Sequence, residues 1–185
     1  MKIPQTVKFS DVVHCSTTAY WTPKTQSREL AELAVKAFDE FKKLLSFPDD
    51  IKIILKTFKR DAKRGCYYSG HRIAVINPRN RTKRGFLETM AHELVHAEQY
   101  HTGRMKDRNK TCREWDGQIM KSSEKNYQTY LNLPWEIDAR SRQGLLAVQV
   151  MKNLGMTEEE IKDTETRFTP TADEKENLEI VVDIC

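Results

Sequence analysis

The sequence predicts a single α+β domain with a small, mostly antiparallel sheet and a central helix that carries an HExxH motif. Three observations predict this class: helical spacing of apolar residues in several segments, short β-branched runs between them, and the motif's place in an uninterrupted helical stretch. The 185 residues, 38% of them hydrophobic, suffice for one compact domain with a modest core. We assign residues 1–156 to this domain and residues 157–185 to an acidic helix and tail packed on it.

Composition excludes several other classes of protein. A charged fraction of 31% with only 7 Gly and 6 Pro excludes collagen-like and low-complexity chains, and three Trp, six Tyr and seven Phe argue against disorder. No window approaches the roughly 20 apolar residues of a membrane span, and the N-terminus lacks the apolar stretch of a signal peptide, so we expect a cytoplasmic protein. The four cysteines form no CxxC pair, which predicts reduced thiols and neither a zinc knuckle nor a redox motif.

The first half of the chain is predicted to contain one helix and three strands. Between Ser27 and Leu45 the apolar residues recur every three or four positions, as on an amphipathic helix. The β-branched run 51–58 predicts a strand. Residues 65–71 and 72–78 predict two further strands that turn near Gly70.

The middle of the chain is predicted to be a helix followed by a long loop. Phe86 to Tyr100 contains neither Gly nor Pro and has apolar residues at helical spacing. Residues 102–132 are polar and weakly patterned, which predicts a loop with a short helix near 113–120. Loops of this length in compact domains usually serve a function, and we expect this one to shape or cover a cleft.

The last third is predicted to contain two helices and a terminal strand. Pro134 suits the first turn of a helix that ends near Gly155. Thr157 and Glu160 form a capping-box pattern at the start of another helix. Residues 169–177 resemble a linker, and the β-branched run 178–182 predicts a strand.

The segment His92-Glu93-Leu94-Val95-His96 is the HExxH motif. On a helix, residues four apart lie on one face, so both imidazoles point the same way and can share a metal ion. Glu93 lies beside them, where its carboxylate can take a proton from a water held at an open metal position. The alternative is a surface helix with two histidines four apart by chance, but the composition predicts only roughly 0.01 such motifs.

A catalytic zinc site needs a third protein ligand, for which the chain offers three candidates. Glu136 is favoured because it lies in the first turn of the next predicted helix, where the helix dipole favours a carboxylate. Its alternative role is that of an ordinary acid at a helix N-terminus. Asp138 and His101 are the reserves, although His101 lies about 180° from His92 around a continuing helix.

With these residues identified, the sequence resembles a known family. The stretch Glu88 to Gln99, preceded by a strand ending Ile76-Asn77-Pro78 and followed by Pro134 to Ala139, looks like the small zincin-type metallopeptidases of phage and bacterial genomes, which are loosely similar to SprT-like proteins. The resemblance covers about residues 50–155. It implies a zincin-like fold, one Zn²⁺ per chain and hydrolysis of peptide bonds in a peptide or protein substrate.

The resemblance also implies a ligand set and a role for each motif residue. The third ligand of SprT-like proteins is a downstream histidine, and this chain has none after His101, so the match implies zinc bound by two histidines and Glu136. The metal ligands are then His92, His96 and Glu136, with Glu93 as the catalytic residue. The metzincin family is excluded because that pattern requires a glycine at position 99 and a histidine at position 102.

Several further residues have candidate roles around this site. Glu88 lies one helical turn before His92 and is expected either to hydrogen-bond an imidazole or to be a solvated helix residue. In zincins generally, a strand beside the metal helix lies along the cleft and pairs with an extended substrate, and the resemblance implies this role for the strand 72–77. The candidate donors to the oxyanion of the reaction are Tyr127, Tyr130, Arg140 and His71.

The net charge of +4 is unevenly distributed along the chain. Residues 56–113 carry 15 Lys and Arg against 5 acids, whereas residues 157–185 carry ten acids against three bases. The basic region is either a solvated surface that balances the acidic tail or a binding surface for nucleic acid or an acidic protein. Two alternative functions follow: a nucleic-acid-associated protein with a structural or vestigial metal site, and an interaction protein that grips a partner without cutting it.

Overall fold

The computed structural model describes residues 17–20, 25–56, 64–78, 81–122, 126–163 and 179–184. It confirms the predicted α+β class. In chain order the elements are β1 (Thr17–Tyr20), α1 (Thr25–Leu44), β2 (Lys52–Lys56), β3 (Gly65–Tyr68), β4 (Ile73–Ile76), α2 (Lys83–His101), β5 (Met105–Asp107), β6 (Cys112–Trp115), β7 (Gln118–Lys121), α3 (Tyr127–Leu131), α4 (Pro134–Asn153), α5 (Glu158–Lys162) and β8 (Glu179–Ile184).

The larger sheet has five strands in the order β1-β8-β2-β4-β3. Strands β2 and β4 are parallel and the other neighbours are antiparallel, as predicted for a mostly antiparallel sheet. The predicted role of strand 72–77 in pairing with an extended substrate is wrong, because β4 is hydrogen-bonded to β2 on one side and to β3 on the other. Among the described strands, β3 is the one that leaves an edge free at this end of the sheet.

The main core lies between this sheet and the helices α1, α2 and α4. The helical spacing predicted for α1 buries one of its faces, where Ala34, Phe38 and Phe41 are fully inaccessible. Helices α2 and α4 pack along each other, and Ala91 and Ala139 are both fully buried in this core. Small side chains let two helices approach closely, which brings the HExxH segment of α2 next to the first turn of α4.

The predicted loop 102–132 with a helix near 113–120 is wrong, because this segment forms a second sheet. Strands β5, β6 and β7 pair antiparallel in that order, and α3 follows. The strands have only three or four residues, and all but two of these residues are partly or fully exposed, so no alternation of apolar residues marks the strands. Their signal is the turn Asp116-Gly117, whose two positive φ angles of 45° and 85° give the two-residue hairpin that such a pair favours.

A second, smaller core fastens this sheet to the start of α4. Its buried members are Met105, Leu133 and Trp135, with Tyr100 and Trp115 packed against them. Trp135 is fully buried and lies immediately before Glu136 in α4. The sheet therefore supports the helical turn that carries the third candidate ligand.

Two capping residues and a proline mark where three helices begin. Thr82 caps α2 by accepting a hydrogen bond from the Gly85 backbone N–H at 2.9 Å. Pro134 is in the first turn of α4, and Thr157 and Glu160 form the predicted capping box of α5. The predicted linker 169–177 lies outside the described residues. No helix in the described part of the chain has the length and apolar character needed to cross a membrane.

Candidate metal centre

The structure brings His92, His96 and Glu136 together at the contact between α2 and α4. The two Nε2 atoms are 3.1 Å apart. Nε2 of His92 is 3.3 Å from Oε2 of Glu136, and Nε2 of His96 is 3.3 Å from Oε1. One ligand atom from each residue lies within 4.8 Å of the other two, which is close enough for all three to hold one metal ion.

These separations fit a small tetrahedral metal ion. Bonds of about 2.0–2.2 Å to nitrogen and oxygen ligands place ligand atoms about 3.3–3.6 Å apart around such an ion. The two Nε2 atoms are 3.1 Å apart and each lies 3.3 Å from a different oxygen of the Glu136 carboxylate, so each contact is close to that value although the two do not share one oxygen. A cation can therefore be held with little movement of the helices.

The tautomer of His96 is determined by Gln99, which lies one helical turn further along α2. Nε2 of Gln99 donates to the backbone carbonyl of Trp135 at 3.0 Å and to Oδ2 of Asp138 at 2.8 Å. Its Oε1 consequently faces His96 and lies 2.8 Å from Nδ1. An amide oxygen can only accept, so Nδ1 carries the proton and the neutral ring presents the lone pair of Nε2 to the site.

His92 has an equivalent partner on the other helix. Oε1 of Gln143 lies 2.8 Å from its Nδ1, so the neutral ring again presents an Nε2 lone pair. Two nitrogen lone pairs and a carboxylate then converge in a largely buried site. Three acceptors at this separation repel one another unless a cation lies among them, so the donor set fits a metal ion.

Glu136 is held as a carboxylate although it is almost completely buried. Burial raises the pKa of this carboxyl, but when the imidazoles of His92 and His96 carry a proton on Nε2, their contacts and a hydrogen bond from Tyr130 outweigh burial and hold the pKa well below its usual range. A cation held in place of those protons acts on the carboxylate in the same direction. The Tyr130 hydroxyl donates to Oε1 of Glu136 at 2.5 Å. Burial, together with the nearby Glu136 carboxylate, raises the pKa of this phenol, so Tyr130 keeps its proton at neutral pH.

Glu93 is buried beside the three candidate ligands, under strand β3. Only 4% of the residue is exposed. A Cβ atom added to Gly65 of β3 would lie 2.7 Å from Oε1 of Glu93 and 3.0 Å from the carbonyl oxygen of Val75. Gly65 therefore leaves the space that the Glu93 carboxylate occupies, and any larger side chain there would displace it.

A cavity of about 400 Å³ opens onto this cluster. The end of β3 contributes one part of its wall, α2 contributes the face with the motif, and α3 and α4 contribute the rest. Its lining includes Arg64, Gly65, Glu88, Thr89, His92, Glu93, Tyr127, Tyr130, Leu131, Glu136, Arg140 and Gln143. This volume is large enough to accommodate several side chains of a peptide and is much larger than a metal ion needs.

The two reserve ligands do not join the cluster. His101 is exposed at the end of α2, because the helix continues through it and carries it to another face. Asp138 accepts from Gln99 and lies 3.4 Å from Nη1 of Arg104, so it supports the partner of His96 instead of facing the site. Near the start of α4, Glu136 therefore contacts the two histidines of α2, whereas Asp138, two residues later, contacts Gln99.

The other candidates divide between the cavity and the surface. Glu88 lines the cavity but accepts from Nε of Arg84 at 2.9 Å, and Nδ1 of His92 is hydrogen-bonded to Gln143 instead. Tyr127, Tyr130 and Arg140 line the cavity, whereas His71 is exposed on the turn between β3 and β4 and is not part of its lining.

Sequence reasoning did not identify Gln99, Gln143 or Gly65. Gln99 follows His96 by three residues and Gln143 follows Glu136 by seven, so helical spacing places each on the face of its neighbour. That spacing was the available signal, but glutamines at such positions are usually solvated. Gly65 carried no comparable signal, because a close approach depends on the packing of a distant helix.

Much of the basic region's positive charge is neutralised within the fold. Arg113 pairs with Asp107, Arg104 pairs with Asp116, and Glu114 pairs with both Lys106 and Arg108. Lys83 lies within ion-pair distance of Glu29 and Glu160. Residues 57–63 and 79–80 of this region lie outside the described residues. The described part therefore presents fewer unpaired charges than the sequence indicates.

Comparisons with protein-family models, with curated proteins and with solved structures found no match to this chain.

Proposed function

We propose that this protein is a zinc-dependent metallopeptidase. One observation carries the proposal: the ligand atoms of His92, His96 and Glu136 converge at 3.1–3.3 Å on a peptide-sized cavity that also contains the buried Glu93 carboxylate. Two imidazoles and one carboxylate form a donor set that suits zinc, and a site with three protein ligands leaves a position open for water or substrate.

The metal would be held by Nε2 of both histidines and by the Glu136 carboxylate. Bound there, zinc supplies Lewis acidity: it lowers the pKa of a coordinated water toward about 7 and polarises the substrate carbonyl. Gln99 and Gln143 hold the imidazole rings in the tautomer that binding needs. Tyr130 orients the Glu136 carboxylate through its hydroxyl.

Glu93 is the general base of the proposed reaction. Its carboxylate accepts a proton from the attacking water as the water oxygen bonds to the carbonyl carbon of the peptide. The same proton passes to the amide nitrogen as the carbon–nitrogen bond breaks, which leaves a carboxylic acid and an amine. The acid then gives its proton to the amine, and the products are a carboxylate and an ammonium group. The close contact with Gly65 confines the Glu93 side chain to the cavity wall where this transfer takes place.

Tyr130 is the best placed of the four candidate donors to the developing oxyanion. Its hydroxyl lies at the candidate metal centre and keeps its proton at neutral pH, because burial raises the pKa of the phenol. A phenol has one O–H, so this hydrogen bond would turn from Glu136 to the oxyanion during the reaction. The guanidinium of Arg140 instead donates to the backbone carbonyls of Glu136 and Leu131. His71 lies away from the cavity lining, on the surface.

An extended substrate would pair with β3 instead of β4. Strand β3 begins beside Glu93, at Gly65, and has its outer edge unpaired among the described strands. Adding a peptide strand to this edge would satisfy its backbone groups and bring the peptide alongside α2.

The proposal is tested by hydrolysis of a denatured protein such as casein with zinc-loaded protein and its Glu93→Gln variant. We expect the wild type to cleave and the variant to be slower by at least about 100-fold, because general-base catalysis contributes about 10²–10⁴-fold. Both should retain one zinc per chain. The control is Glu159→Gln on the exposed side of α5, which removes the same charge far from the cavity lining. Equal hydrolysis by wild type and Glu93→Gln would overturn the proposal.

A further inference from the structure

Eight arginines of the described residues fall into two groups according to their ion pairs. Six of them pair with a carboxylate through at least one contact: Arg72, Arg84, Arg104, Arg108, Arg113 and Arg142. Arg64 and Arg140 have no carboxylate partner within the described ranges, and both line the cavity at the candidate metal centre. An arginine without a neutralising partner is thus a feature that this cleft has and the surrounding surface largely lacks.

Arg64 stands on the β3 side of the cavity. It directly precedes Gly65, the residue that touches the Glu93 carboxylate, and its side chain is exposed to the cleft opening. Its backbone carbonyl accepts from the Asn77 N–H at 2.8 Å, which fixes the main chain at this point. The main chain that carries Arg64 is therefore fixed beside the proposed general base.

Arg140 stands on the opposite element, one helical turn after Glu136 on α4. Its Nε donates to the Glu136 carbonyl at 3.2 Å, and its Nη2 donates to the Leu131 carbonyl. These contacts fix the plane of the guanidinium but use neutral acceptors, so they leave its charge unbalanced. A guanidinium has five N–H donors, and the remaining ones face no carboxylate of the described residues.

The charges of the cleft also favour an anionic ligand. A divalent ion would balance Glu93 and Glu136, and Arg84 already balances Glu88. Arg64 and Arg140 then leave the loaded cleft with two unbalanced positive charges. An excess of this sign at the mouth of a partly enclosed site attracts anions and raises their local concentration.

We propose that Arg64 and Arg140 form an anion subsite that selects peptides with a carboxylate near the bond to be cleaved. The carboxylate belongs either to an acidic side chain or to the C-terminus of the peptide, since both offer the same planar pair of oxygens to an arginine. This inference rests on the proposed peptidase function and names its substrate class. A peptide is favoured over a nucleic acid because the cavity also contains the general base and borders an unpaired strand edge.

The test is peptide binding to the zinc-loaded Glu93→Gln protein, which separates recognition from cleavage. The probes are fluorescein-labelled alanine-rich hexapeptides with blocked ends and one Glu at each position in turn, each matched by a peptide with Gln at that position. A third series has no Glu but a free C-terminal carboxylate, which distinguishes the two sources of the anion. Dissociation constants are measured by fluorescence anisotropy, and hydrolysis of the same peptides by wild type is followed in parallel.

We expect the Glu peptide to bind about 10- to 100-fold more tightly than its Gln partner at one or two adjacent positions, as charge-assisted hydrogen bonds allow. The Arg64→Gln substitution should bring the dissociation constants of the Glu and Gln peptides close to each other. Arg140→Lys should reduce it while keeping the charge, because lysine lacks the two-pronged geometry. The control Lys110→Gln, on the exposed turn before β6, removes one positive charge away from the cavity lining and should leave the ratio unchanged.

Equal binding of Glu and Gln peptides at every position, together with no gain from a free C-terminus, would overturn the subsite. A Glu preference that Arg64→Gln and Arg140→Lys both leave intact would overturn the assignment to these residues. A third outcome is that a single-stranded oligonucleotide binds more tightly than any peptide and that Arg64→Gln abolishes this binding. It would show that the subsite binds a phosphate backbone and would refute a peptide as its ligand. An Arg64-dependent preference for acidic peptides that wild type never hydrolyses would support the subsite and refute the peptidase.

Discussion

Two regions meet at the candidate metal centre, and they are stabilised in different ways. The helix pair α2 and α4 is held by buried apolar contacts and by amide hydrogen bonds to the imidazole rings. The sheet of β5, β6 and β7 is largely exposed and is held by a small core around Trp135 and by ion pairs of partly exposed side chains. Buried packing fixes positions more precisely than exposed ion pairs, so we expect the helix pair to determine the geometry of the site.

The two regions are joined through one chain of contacts. Gln99 hydrogen-bonds His96 and Asp138, and Asp138 lies 3.4 Å from Nη1 of Arg104, whose Nε lies 3.2 Å from Asp116 in the β6–β7 turn. The inner links are buried and the outer ones are exposed to solvent. The influence of a substitution on the metal site should therefore decline from Gln99 outward to Arg104.

The largest effect on stability is expected from truncating a core residue of the helix pair. Leu94→Ala removes a fully buried side chain from α2 and should lower the free energy of unfolding by about 2–5 kcal/mol, measured by urea denaturation. The matched substitution in the small sheet is Ile119→Ala, whose side chain is 69% exposed, with an expected change within about 0.5 kcal/mol. A similar loss of unfolding free energy in both variants would contradict the claim that the helix pair and the small sheet are stabilised in different ways.

The next largest effect concerns Gly65 and the position of Glu93. Gly65→Ala places a Cβ atom 2.7 Å from the Glu93 carboxylate, so this side chain must move. Displacing a catalytic group by about 1 Å can cost about 100-fold in rate, and we expect a fall of this order in kcat/KM with zinc content unchanged. The control is Gly70→Ala, where an added Cβ meets nothing within 4 Å. Full activity in Gly65→Ala would refute the placement of Glu93 as the base.

The two glutamines should affect zinc affinity to different extents. Gln99→Leu removes the partner of His96 and leaves Asp138 and the Trp135 carbonyl without their amide donor, so we expect zinc to bind about 10- to 100-fold more weakly. Gln143→Leu removes the hydrogen bond to Nδ1 of His92, and its effect on zinc affinity should lie at the lower end of that range. Competition with a chromophoric chelator measures both. A larger loss of zinc affinity in Gln143→Leu than in Gln99→Leu would contradict this prediction.

The smallest effect is expected at the outer end of the contact chain. Arg104→Gln breaks ion pairs of a side chain that is 39% exposed, and such pairs contribute at most about 1 kcal/mol to the free energy of unfolding. Zinc affinity should stay within about twofold of wild type, and 1 M salt should reduce the stability difference because it screens the pair. A loss of zinc affinity as large as that of Gln99→Leu would show that the sheet controls the site.

How well the sequence predicted each element depends on how local its signal is. The helix carrying His92 was predicted because apolar spacing and the motif agree within one segment. The short strands β5 to β7 were missed, although Asp116-Gly117 is a strong hairpin signal, because their exposed residues show no alternation. Without this hairpin signal, the segment was predicted to be a loop, although its strands form a sheet.

The candidate site was predictable where one helix carries the residues. His92 and His96 follow from spacing alone, and Glu136 could be ranked first only because the first turn of a helix suits a carboxylate. The contacts of Gln143 and Gly65 depend on how α4 and β3 approach α2, which no local pattern in the sequence records.

The central claim is that His92, His96 and Glu136 hold one metal ion, and elemental analysis after zinc loading and removal of excess metal tests it most directly. We predict one zinc per chain in the wild type and in Asp138→Ala and His101→Ala. His92→Ala, His96→Ala and Glu136→Ala should retain none, with circular dichroism confirming that each variant is folded. No zinc in the wild type, or a full equivalent in folded Glu136→Ala, would contradict the claim.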